Sequence, residues 1–315
     1  MTFSVQDLSP VPSSASKMQG KQQIRKKQHS EIITTTPNKN LYQDMKQKKL
    51  EKMRKINLVA FDMVGFMSRW VSKVAVVTGA SSGCGAATVK RLLEENVIVV
   101  GIARRTEKIK ELSNSKNLYA VKADVTNEEE LLEAFTWIKH NLGPIHILVN
   151  CAGVFRMTNY LNGKTEHWKE MMNVNYFGLC ICTREAVKDM RANNVDGHII
   201  QINDICGHKL IGIENMNVYC SSKFPVTAAV EGLRVELNEI KSQIKVSSIC
   251  PGYIKTEIID ACIKEQPEAE QFLKQLEDEP SLSPDDIADT VIYLLSTPPH
   301  VQIHNIFIRA VGSDF

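Results

Sequence analysis

The sequence lacks any apolar run long enough to cross a bilayer. The stretch Ile56–Phe66 is apolar, but it is short and contains Asp62, whereas a spanning helix needs about 20 residues. The N-terminal region also shows no signal-peptide pattern. We therefore expect a chain without a transmembrane segment.

The eight cysteines form no metal-binding or disulfide pattern. None belongs to a Cys-x-x-Cys pair, and none stands with histidines at the spacing of a zinc site. Several lie in apolar or small-residue segments, where cysteine behaves as a small hydrophobic residue. This usage predicts no metal site and favours a reducing compartment, so we expect a cytoplasmic protein.

The 315-residue chain carries little net charge, +2 at pH 7, which argues against a nucleic-acid partner. The charge is unevenly distributed, because residues 1–66 contain 12 basic and 5 acidic residues while the remainder contains 26 and 31. We expect residues 1–66 to be a basic, disordered N-terminal extension. The extension is either a solvated tail, which we favour, or a functional arm for a nucleic acid or a membrane surface.

What the sequence does contain is a glycine-rich turn at Thr78–Gly85. The turn follows the apolar run Val74–Val77 and precedes a helical pattern that begins at Ala86. A strand, such a turn and a helix place an anion at the helix N-terminus, where backbone N–H groups and the helix dipole favour it. Glycines allow the backbone to approach a pyrophosphate closely. The turn therefore predicts dinucleotide binding by Gly79, Ser81, Ser82, Gly83, Cys84 and Gly85.

From residue 73 onward, apolar strand patterns alternate with helical patterns. The predicted strands are Val74–Val77, Val97–Ile102, Tyr119–Val121, Ile145–Val149, His198–Ile202, Lys245–Ile249 and Ile303–Ile308. The predicted helices are Ala86–Glu95, Lys108–Leu112, Asn127–Asn141, His167–Met190, Val218–Ile240, Pro267–Leu276 and Pro284–Leu295. Continuous Val/Ile runs are typical of strands buried on both faces. The alternation predicts an α/β fold over residues 67–315, with a single Rossmann-type doubly wound parallel sheet and helices on both faces.

Further segments occur in an order that one known family shares. They are Asp124-Val125, Asn150–Gly153, Asn175, Tyr219-x-x-x-Lys223, and Pro251-Gly252 with Thr256. Together with the turn, they resemble the short-chain dehydrogenase/reductase superfamily, with the greatest similarity to insect NADP-dependent farnesol dehydrogenases and their ketosteroid-reducing vertebrate relatives. The resemblance begins at Met67. It implies hydride transfer at an alcohol or carbonyl carbon of a small apolar molecule, and a homo-oligomer.

The resemblance also implies a role for each matching residue. Tyr219 would be the general acid/base, and Lys223, on the same helix face, would lower the pKa of Tyr219 and hold the nicotinamide ribose. Asn175 would anchor a water molecule that links Lys223 to solvent. Asp124 would cap the adenine amine of the cofactor. The other implied cofactor contacts are Val125, Asn150, Ala152, Gly153, Pro251, Gly252 and Thr256.

The residues after the second strand predict which dinucleotide binds. An acidic residue at this position would bond the ribose 2′-hydroxyl of NAD. The chain instead has Arg104 and Arg105, whose guanidinium groups suit a 2′-phosphate. The alternative is a pair of solvent-facing arginines at a helix start. We favour NADP (NADPH) as the cofactor.

Three residues depart from the pattern of the superfamily. Asp204 occupies the position of the catalytic serine, which would donate a hydrogen bond to the substrate oxygen. An ionised aspartate only accepts hydrogen bonds and would oppose a developing oxyanion, although a protonated one could donate. Cys151 replaces an asparagine, and Pro225 follows Lys223 inside the predicted helix, which it could kink.

Two functions are therefore compatible with the sequence. The first is an NADP-dependent oxidoreductase that acts on the alcohol or carbonyl group of an apolar, farnesol-like or ketosteroid-like substrate. The alternative is an NADP-binding, catalytically impaired relative that acts through binding, because Asp204 replaces the serine. In either case we expect the segment 257–278 to cover the substrate pocket.

Overall fold

The computed structural model describes residues 65–270 and 279–313. Seven parallel strands form one sheet in the order β3-β2-β1-β4-β5-β6-β7. The strands are β1 (Val74–Thr78), β2 (Ile98–Ala103), β3 (Leu118–Lys122), β4 (Ile145–Asn150), β5 (His198–Ile202), β6 (Lys245–Pro251) and β7 (Asn305–Ile308). All seven predicted strands are confirmed. Most of the residues 1–66 predicted to be an extension lie outside the described residues.

Helices cover both faces of the sheet, as predicted. They are α1 (Gly83–Glu94), α2 (Thr106–Lys110), α3 (Glu128–Leu142), α4 (Thr165–Met172), α5 (Leu179–Ala192), α6 (Asn217–Glu239), α7 (Glu257–Glu265) and α8 (Pro284–Leu295). Helices α3, α5 and α6 pack on one face of the sheet, and α1, α2 and α8 pack on the other. The central strands explain this layering, because β1 and β6 are buried along their whole length, which is typical of parallel sheets.

The order of the strands fixes the position of a ligand site. The chain runs outward from β1 to β3 on one side and from β4 to β7 on the other, so β1 and β4 lie side by side at the point where the winding reverses. In doubly wound sheets, ligands bind outside the carboxyl ends of the strands at this switch point. The glycine-rich turn after β1 and the segment after β4 therefore meet at one end of the sheet.

Several helix boundaries differ from those predicted. The long helix predicted over His167–Met190 contains a π-helical segment at Asn173–Gly178 between α4 and α5. Helix α7 was not predicted at all, and the predicted helix Pro267–Leu276 begins as a 3₁₀ turn at Pro267–Ala269, its remainder lying largely outside the described residues. Helix α8 begins with a capping box formed by Ser283 and Asp286, with Pro284 in the first turn.

Helix α6 continues through Pro225 as one helix from Asn217 to Glu239, so the proline does not divide the segment that carries Tyr219 and Lys223. Proline has no N–H for the carbonyl of Ser221, and its ring crowds that carbonyl, at a cost of roughly 3 kcal/mol in a helix interior. We expect Pro225→Ala to raise the free energy of unfolding by about 1–3 kcal/mol. Denaturant unfolding followed by circular dichroism measures this change.

A matched substitution tests whether the effect depends on the helix interior. Pro284 occupies the first turn of α8, where proline is favourable because no intrahelical N–H is needed. Pro284→Ala should therefore leave the unfolding midpoint unchanged or lower it. An unchanged midpoint for Pro225→Ala would mean that the backbone has already relieved the cost of the proline.

No helix within residues 65–270 and 279–313 is long and apolar enough to cross a membrane.

Candidate active site

A cavity of about 850 Å³ opens at the carboxyl ends of the central strands. It is lined by most of the residues that the sequence predicts for the cofactor and the catalytic group. The predicted residues on its wall are Gly79, Ser81, Ser82, Gly83, Cys84, Gly85, Arg104, Arg105, Asp124, Val125, Ala152, Gly153, Asp204, Tyr219, Lys223, Pro251, Gly252 and Thr256. Asn150 and Asn175 are not on the wall, and both are buried.

The glycine-rich turn is packed too closely for larger side chains. Gly79 has a positive φ of 65°, and a Cβ atom there would lie 2.8 Å from the backbone of Ala152. A Cβ atom on Gly85 would clash with the carbonyl group of Gly79. Gly83 also has a positive φ, 51°, and begins α1. The turn therefore brings the N-terminus of α1 to the cavity wall, where its N–H groups can bind an anion.

The two arginines after β2 lie differently with respect to this turn. Arg105 Nη2 lies 3.3 Å from Ser81 Oγ and 3.3 Å from Ser82 Oγ, so its guanidinium group faces the turn. It also lies 3.7 Å from a carboxylate oxygen of Glu257. Arg104 is more exposed, with 75% of its side chain accessible, and lies 3.7 Å from Asp124 Oδ2. Arg105 is thus the better placed of the two to bind a phosphate beside the turn.

Asp124 and Asn150 are held in place by hydrogen bonds within the protein. Asp124 Oδ1 accepts hydrogen bonds from the backbone N–H of Thr126 at 2.9 Å and from its hydroxyl group at 2.8 Å. The Asn150 amide donates to Gln201 Oε1 at 2.9 Å and to Thr183 Oγ1 at 3.1 Å. Asn150 therefore lies beneath the cavity and ties β4 to its neighbours, while the predicted contact between Asn150 and the cofactor stays a prediction.

Asn175 lies in the π-helical segment Asn173–Gly178, where an extra residue in the turn changes the direction of the side chain. Its Oδ1 accepts a hydrogen bond from Val154 N at 2.8 Å, and its Nδ2 donates to Val154 O at 3.0 Å and to Ser222 Oγ at 2.9 Å. These bonds join the segment after β4 to helix α6. The role of Asn175 in anchoring a water molecule stays a prediction.

The predicted catalytic side chains Tyr219, Lys223 and Asp204 are brought together at the cavity. Tyr219 Oη donates a hydrogen bond to Asp204 Oδ2 at 2.9 Å. Lys223 Nζ lies 5.9 Å from the centre of the Tyr219 ring and donates to the carbonyl oxygens of Ile202 and Asn203 at 3.3 and 3.4 Å. The Asp204 carboxylate is oriented by Cys206, whose backbone N–H donates to Oδ1 at 2.8 Å.

The electrostatics of Tyr219 differ from the expectation based on Lys223 alone. Burial raises the pKa of Tyr219 well above its ordinary value, and the nearby Asp204 carboxylate raises it further. Burial likewise lowers the pKa of Lys223, although Asp204 opposes this change. The site therefore favours neutral tyrosine, and the predicted lowering of the Tyr219 pKa is not found in this structure.

Asp204 as a whole residue is partly exposed, but its carboxyl group is surrounded by protein atoms. Burial raises the pKa of Asp204, and this effect outweighs the opposite influences of Lys223, the Cys206 N–H group and the Tyr219 hydroxyl group. A raised pKa makes the neutral carboxylic acid more accessible than it would be in water. A neutral Asp204 can donate a hydrogen bond, which an ionised carboxylate cannot.

The second predicted departure, Cys151, lies on the cavity wall beside Cys84. Burial raises the pKa of the Cys151 thiol, and it raises the pKa of the Cys84 thiol to about 11. Both side chains are therefore neutral thiols at pH 7 and act as small wall residues. In the part of the chain that the structure describes, no group of His, Cys, Asp and Glu side chains is arranged to hold a metal ion.

Beside the predicted cofactor and catalytic residues, the wall carries apolar side chains from several segments. An apolar part of the cavity is formed by Ile205, Ile211, Ile213, Met216, Ile258 and Ile259, the last two from α7, in the segment predicted to cover the pocket. The ring of Phe155 packs edge-on against the ring of Tyr219 at 5.2 Å. The next residue, Arg156, forms an ion pair with Glu170 on the wall. Arg156 was not predicted from the sequence, and its place three residues after Gly153 was the available signal.

Comparisons with known proteins identify the family to which the chain belongs. The short chain dehydrogenase family matches residues 73–267. Farnesol dehydrogenase of Aedes aegypti is 41% identical over 258 residues, covering 79% of this chain and all of that protein. Dehydrogenase/reductase SDR family member 11 of Bos taurus is 41% identical over 251 residues, covering 77% of this chain and 98% of that protein.

A solved structure of serine dehydrogenase complexed with NADP+ has the same fold. It superposes with a TM-score of 0.69 at 28% sequence identity, covering 75% of this chain and 94% of that one. The resemblance predicted from the motifs is confirmed, and so is the predicted fold class. The chain therefore belongs to the short-chain dehydrogenase family and is an oxidoreductase of that family.

Proposed function

We propose that this chain is an NADP-dependent oxidoreductase that interconverts an alcohol and a carbonyl group on an apolar substrate. The observation that carries the proposal is the hydrogen bond of 2.9 Å between Tyr219 and Asp204, next to Lys223, inside one cavity. That cavity joins a glycine-rich turn with an arginine beside it to an apolar compartment. The names of two relatives, farnesol dehydrogenase and dehydrogenase/reductase, support the same reaction class.

The residues present fit a phosphorylated dinucleotide. Gly79 and Gly85 pack against backbone, which keeps the turn tight, and the turn and the start of α1 line the cavity, where helix N-terminal N–H groups would bind a pyrophosphate. Arg105 beside Ser81 and Ser82 would hold a 2′-phosphate, and Lys223 would hold the nicotinamide ribose. NADP(H), when bound, supplies or accepts the hydride.

The protein handles the proton that accompanies the hydride. During reduction, Tyr219 donates its hydroxyl proton to the forming alkoxide, and neutral Asp204 donates a hydrogen bond at the same oxygen or returns a proton to Tyr219. Their separation of 2.9 Å is within direct proton-transfer distance. Asp204 thus takes the place of a serine hydroxyl as a donor whose activity depends on pH.

The cofactor preference is the first test of the proposal. We expect the protein to bind NADPH more tightly than NADH, because a charge-assisted hydrogen bond to the 2′-phosphate contributes about 1.5–3 kcal/mol, or roughly 10- to 100-fold in Kd. Arg105→Ala should remove most of this preference while leaving the Kd for NADH nearly unchanged. Titration of protein fluorescence with each cofactor measures both constants.

Arg104→Ala is the matched control for this prediction. Arg104 is more exposed than Arg105 and is directed towards Asp124, so its loss should reduce the preference less. Equal Kd values for NADPH and NADH in the parent protein would contradict the proposed cofactor. An equal effect of the two substitutions would contradict the assignment of the phosphate contact to Arg105.

The apolar substrate class is proposed from the isoleucine and methionine side chains on the wall. Farnesol-like alcohols and ketosteroid-like ketones are the substrates to screen, using NADP+ for oxidation and NADPH for reduction. We expect turnover of the apolar alcohols and ketones and no turnover of small polar alcohols or ketones. Turnover confined to small polar alcohols would contradict this part of the proposal.

A catalytically impaired, NADP-binding protein is the second candidate function. It is favoured by one observation, the raised pKa of Tyr219 beside the Asp204 carboxylate, because ionised Asp204 would oppose the oxyanion. NADPH binding without turnover of any screened substrate would select this alternative.

We also propose that the protein is cytoplasmic and forms a homo-oligomer. Exposed apolar side chains lie on the π-helical segment and α6, where Phe177, Phe224 and Val235 are between 42% and 53% exposed. These faces would be covered by pairing of two copies. Light scattering after size-exclusion chromatography would reveal a monomer if this proposal is wrong.

A further inference from the structure

Arg156 and Glu170 form an ion pair that the proposed reaction does not use. Arg156 is only 9% exposed, and its Nη2 lies 2.7 Å from Glu170 Oε1. Its Nη1 donates to the carbonyl oxygen of Phe155 at 2.9 Å. Both charged side chains are on the wall of the active-site cavity. Tyr219 lines the same cavity, and we therefore take the pair to lie in its substrate compartment.

The Arg156 guanidinium group is the buried member of the pair, with 11% of its side chain exposed against 37% for Glu170, and burying a charge is costly unless it has hydrogen-bond partners. Ile211, Ile213 and Ile258 on the same wall offer no side-chain hydrogen bonds, and the charged residues that line the cavity elsewhere include Asp260, Lys264 and Glu265. A guanidinium group carries five N–H donors, and within the described residues Arg156 uses donors towards Phe155 and Glu170. Further N–H groups of Arg156 are therefore left for a ligand in the cavity.

The combination of charges selects the kind of ligand group. A carboxylate would be attracted by Arg156 but repelled by Glu170, and an ammonium group would experience the reverse. A neutral hydroxyl group satisfies both side chains, because its oxygen accepts from the guanidinium group while its hydrogen is donated to the carboxylate. Sites built to hydrogen-bond a hydroxyl group discriminate strongly against analogues that lack it.

We propose that Arg156 and Glu170 determine specificity by binding a second hydroxyl group of the substrate, remote from the carbon that is oxidised or reduced. The inference rests on the proposed function, since it assumes that the reacting carbonyl lies at Tyr219. The substrate class is then an apolar ketone or alcohol that carries an additional hydroxyl group. A simple apolar ketone of the same length fits the cavity but leaves the ion pair without a ligand.

Matched pairs of ketones test this inference. Decan-2-one and its ω-hydroxy counterpart, together with shorter and longer pairs, are compared in kcat/KM with NADPH and in Kd for the complex with NADP+. We expect the hydroxyketone of the best length to be favoured by about 10- to 100-fold in both measurements. Arg156→Met and Glu170→Gln should each lower this ratio towards one, with the larger loss on the hydroxyketone.

Arg184→Met is the control, because Arg184 forms a surface ion pair with Glu128 at 2.7 Å and is not on the cavity wall. It should leave the ratio unchanged. Equal Kd values for the two ketones at every length, or a ratio that both cavity variants retain, would overturn the inference while leaving the proposed function intact. If Arg156→Met does not fold, the inference is tested with Glu170→Gln alone, because that substitution keeps the shape of the side chain.

The Kd values for the ketones test this inference independently of the proposed reaction. Absence of turnover for all ketones would contradict the proposed function. A Kd ratio that favours the hydroxyketone and is lost in the variants would still support hydroxyl recognition by the ion pair. Turnover of both ketones without any preference for the hydroxyketone would support the proposed function and contradict hydroxyl recognition by the ion pair.

Discussion

Tyr219→Phe is expected to lower kcat by about 10²- to 10⁴-fold, the range that a positioned general acid or base contributes. The substitution removes the hydroxyl group that lies 2.9 Å from Asp204 and leaves the ring that packs against Phe155. Because the phenol is a neutral proton donor in this site, we expect the loss to be greatest for carbonyl reduction. Steady-state rates with NADPH and an apolar ketone measure it.

The same variant should retain the affinity for NADPH within a few-fold, since the turn and Arg105 are unaffected. A matched control is Tyr160→Phe, which removes an exposed phenol that is hydrogen-bonded to Ser221 and is not on the cavity wall. It should leave kcat unchanged. If Tyr219→Phe retained more than a tenth of the parent activity, another group would have to supply the proton.

The fold could be predicted from the sequence because its strands are encoded locally. Runs such as Val74–Val77 are apolar without interruption, and only a sheet covered on both faces buries them completely. Helix α7 was missed although its sequence carries helix signals, namely Thr256 at the N-cap position, acidic residues in the first turn and Lys264 in the last turn. In a helix of nine residues such signals are weak, and packing supplies most of the stability. The π-helical turn at Asn175 depends on packing between α4, α5 and α6. Contacts between these helices cannot be predicted from the local sequence.

The site was predictable where a residue type is dictated by backbone geometry. Gly79 and Gly85 are required because backbone occupies the space of a side chain. The ionisation of Tyr219 was not predictable, because its pKa depends on burial and on Asp204, fifteen residues earlier in the chain. Arg156 was missed for the same reason, since only the folded chain places it opposite Glu170.

Asp204→Ser is expected to increase carbonyl reduction by about 10- to 100-fold at pH values where Asp204 is ionised. A serine hydroxyl group is a neutral donor at every pH in this range, and one such donor to a developing oxyanion typically changes kcat by 10²–10³. The substitution also removes the negative charge that raises the pKa of Tyr219. Rates with NADPH across a pH series measure the difference between parent and variant.

The pH dependence of the parent follows from the direction of the Asp204 pKa shift. Because the folded-state pKa is raised above the value of about 3.9 in an unfolded chain, the neutral donor is gained as pH falls through the raised value. Reduction by the parent should therefore strengthen as pH falls. The protonated form also stabilises the native state, fully below about pH 3.9, and this stability is lost as pH rises through the folded pKa.

Asp204→Asn separates the charge of Asp204 from its shape. The amide keeps the size of the carboxyl group, donates hydrogen bonds and does not titrate, so both the rise in reduction at low pH and the matching rise in stability should disappear. Asp204→Ser should lose them as well, so that the parent rate approaches the rate of this variant only at the lowest pH. The contrary result is a parent rate that is independent of pH and exceeds the rate of Asp204→Ser. That result would show that the ionised carboxylate is the form required for catalysis. The proposed proton path through neutral Asp204 would then be wrong.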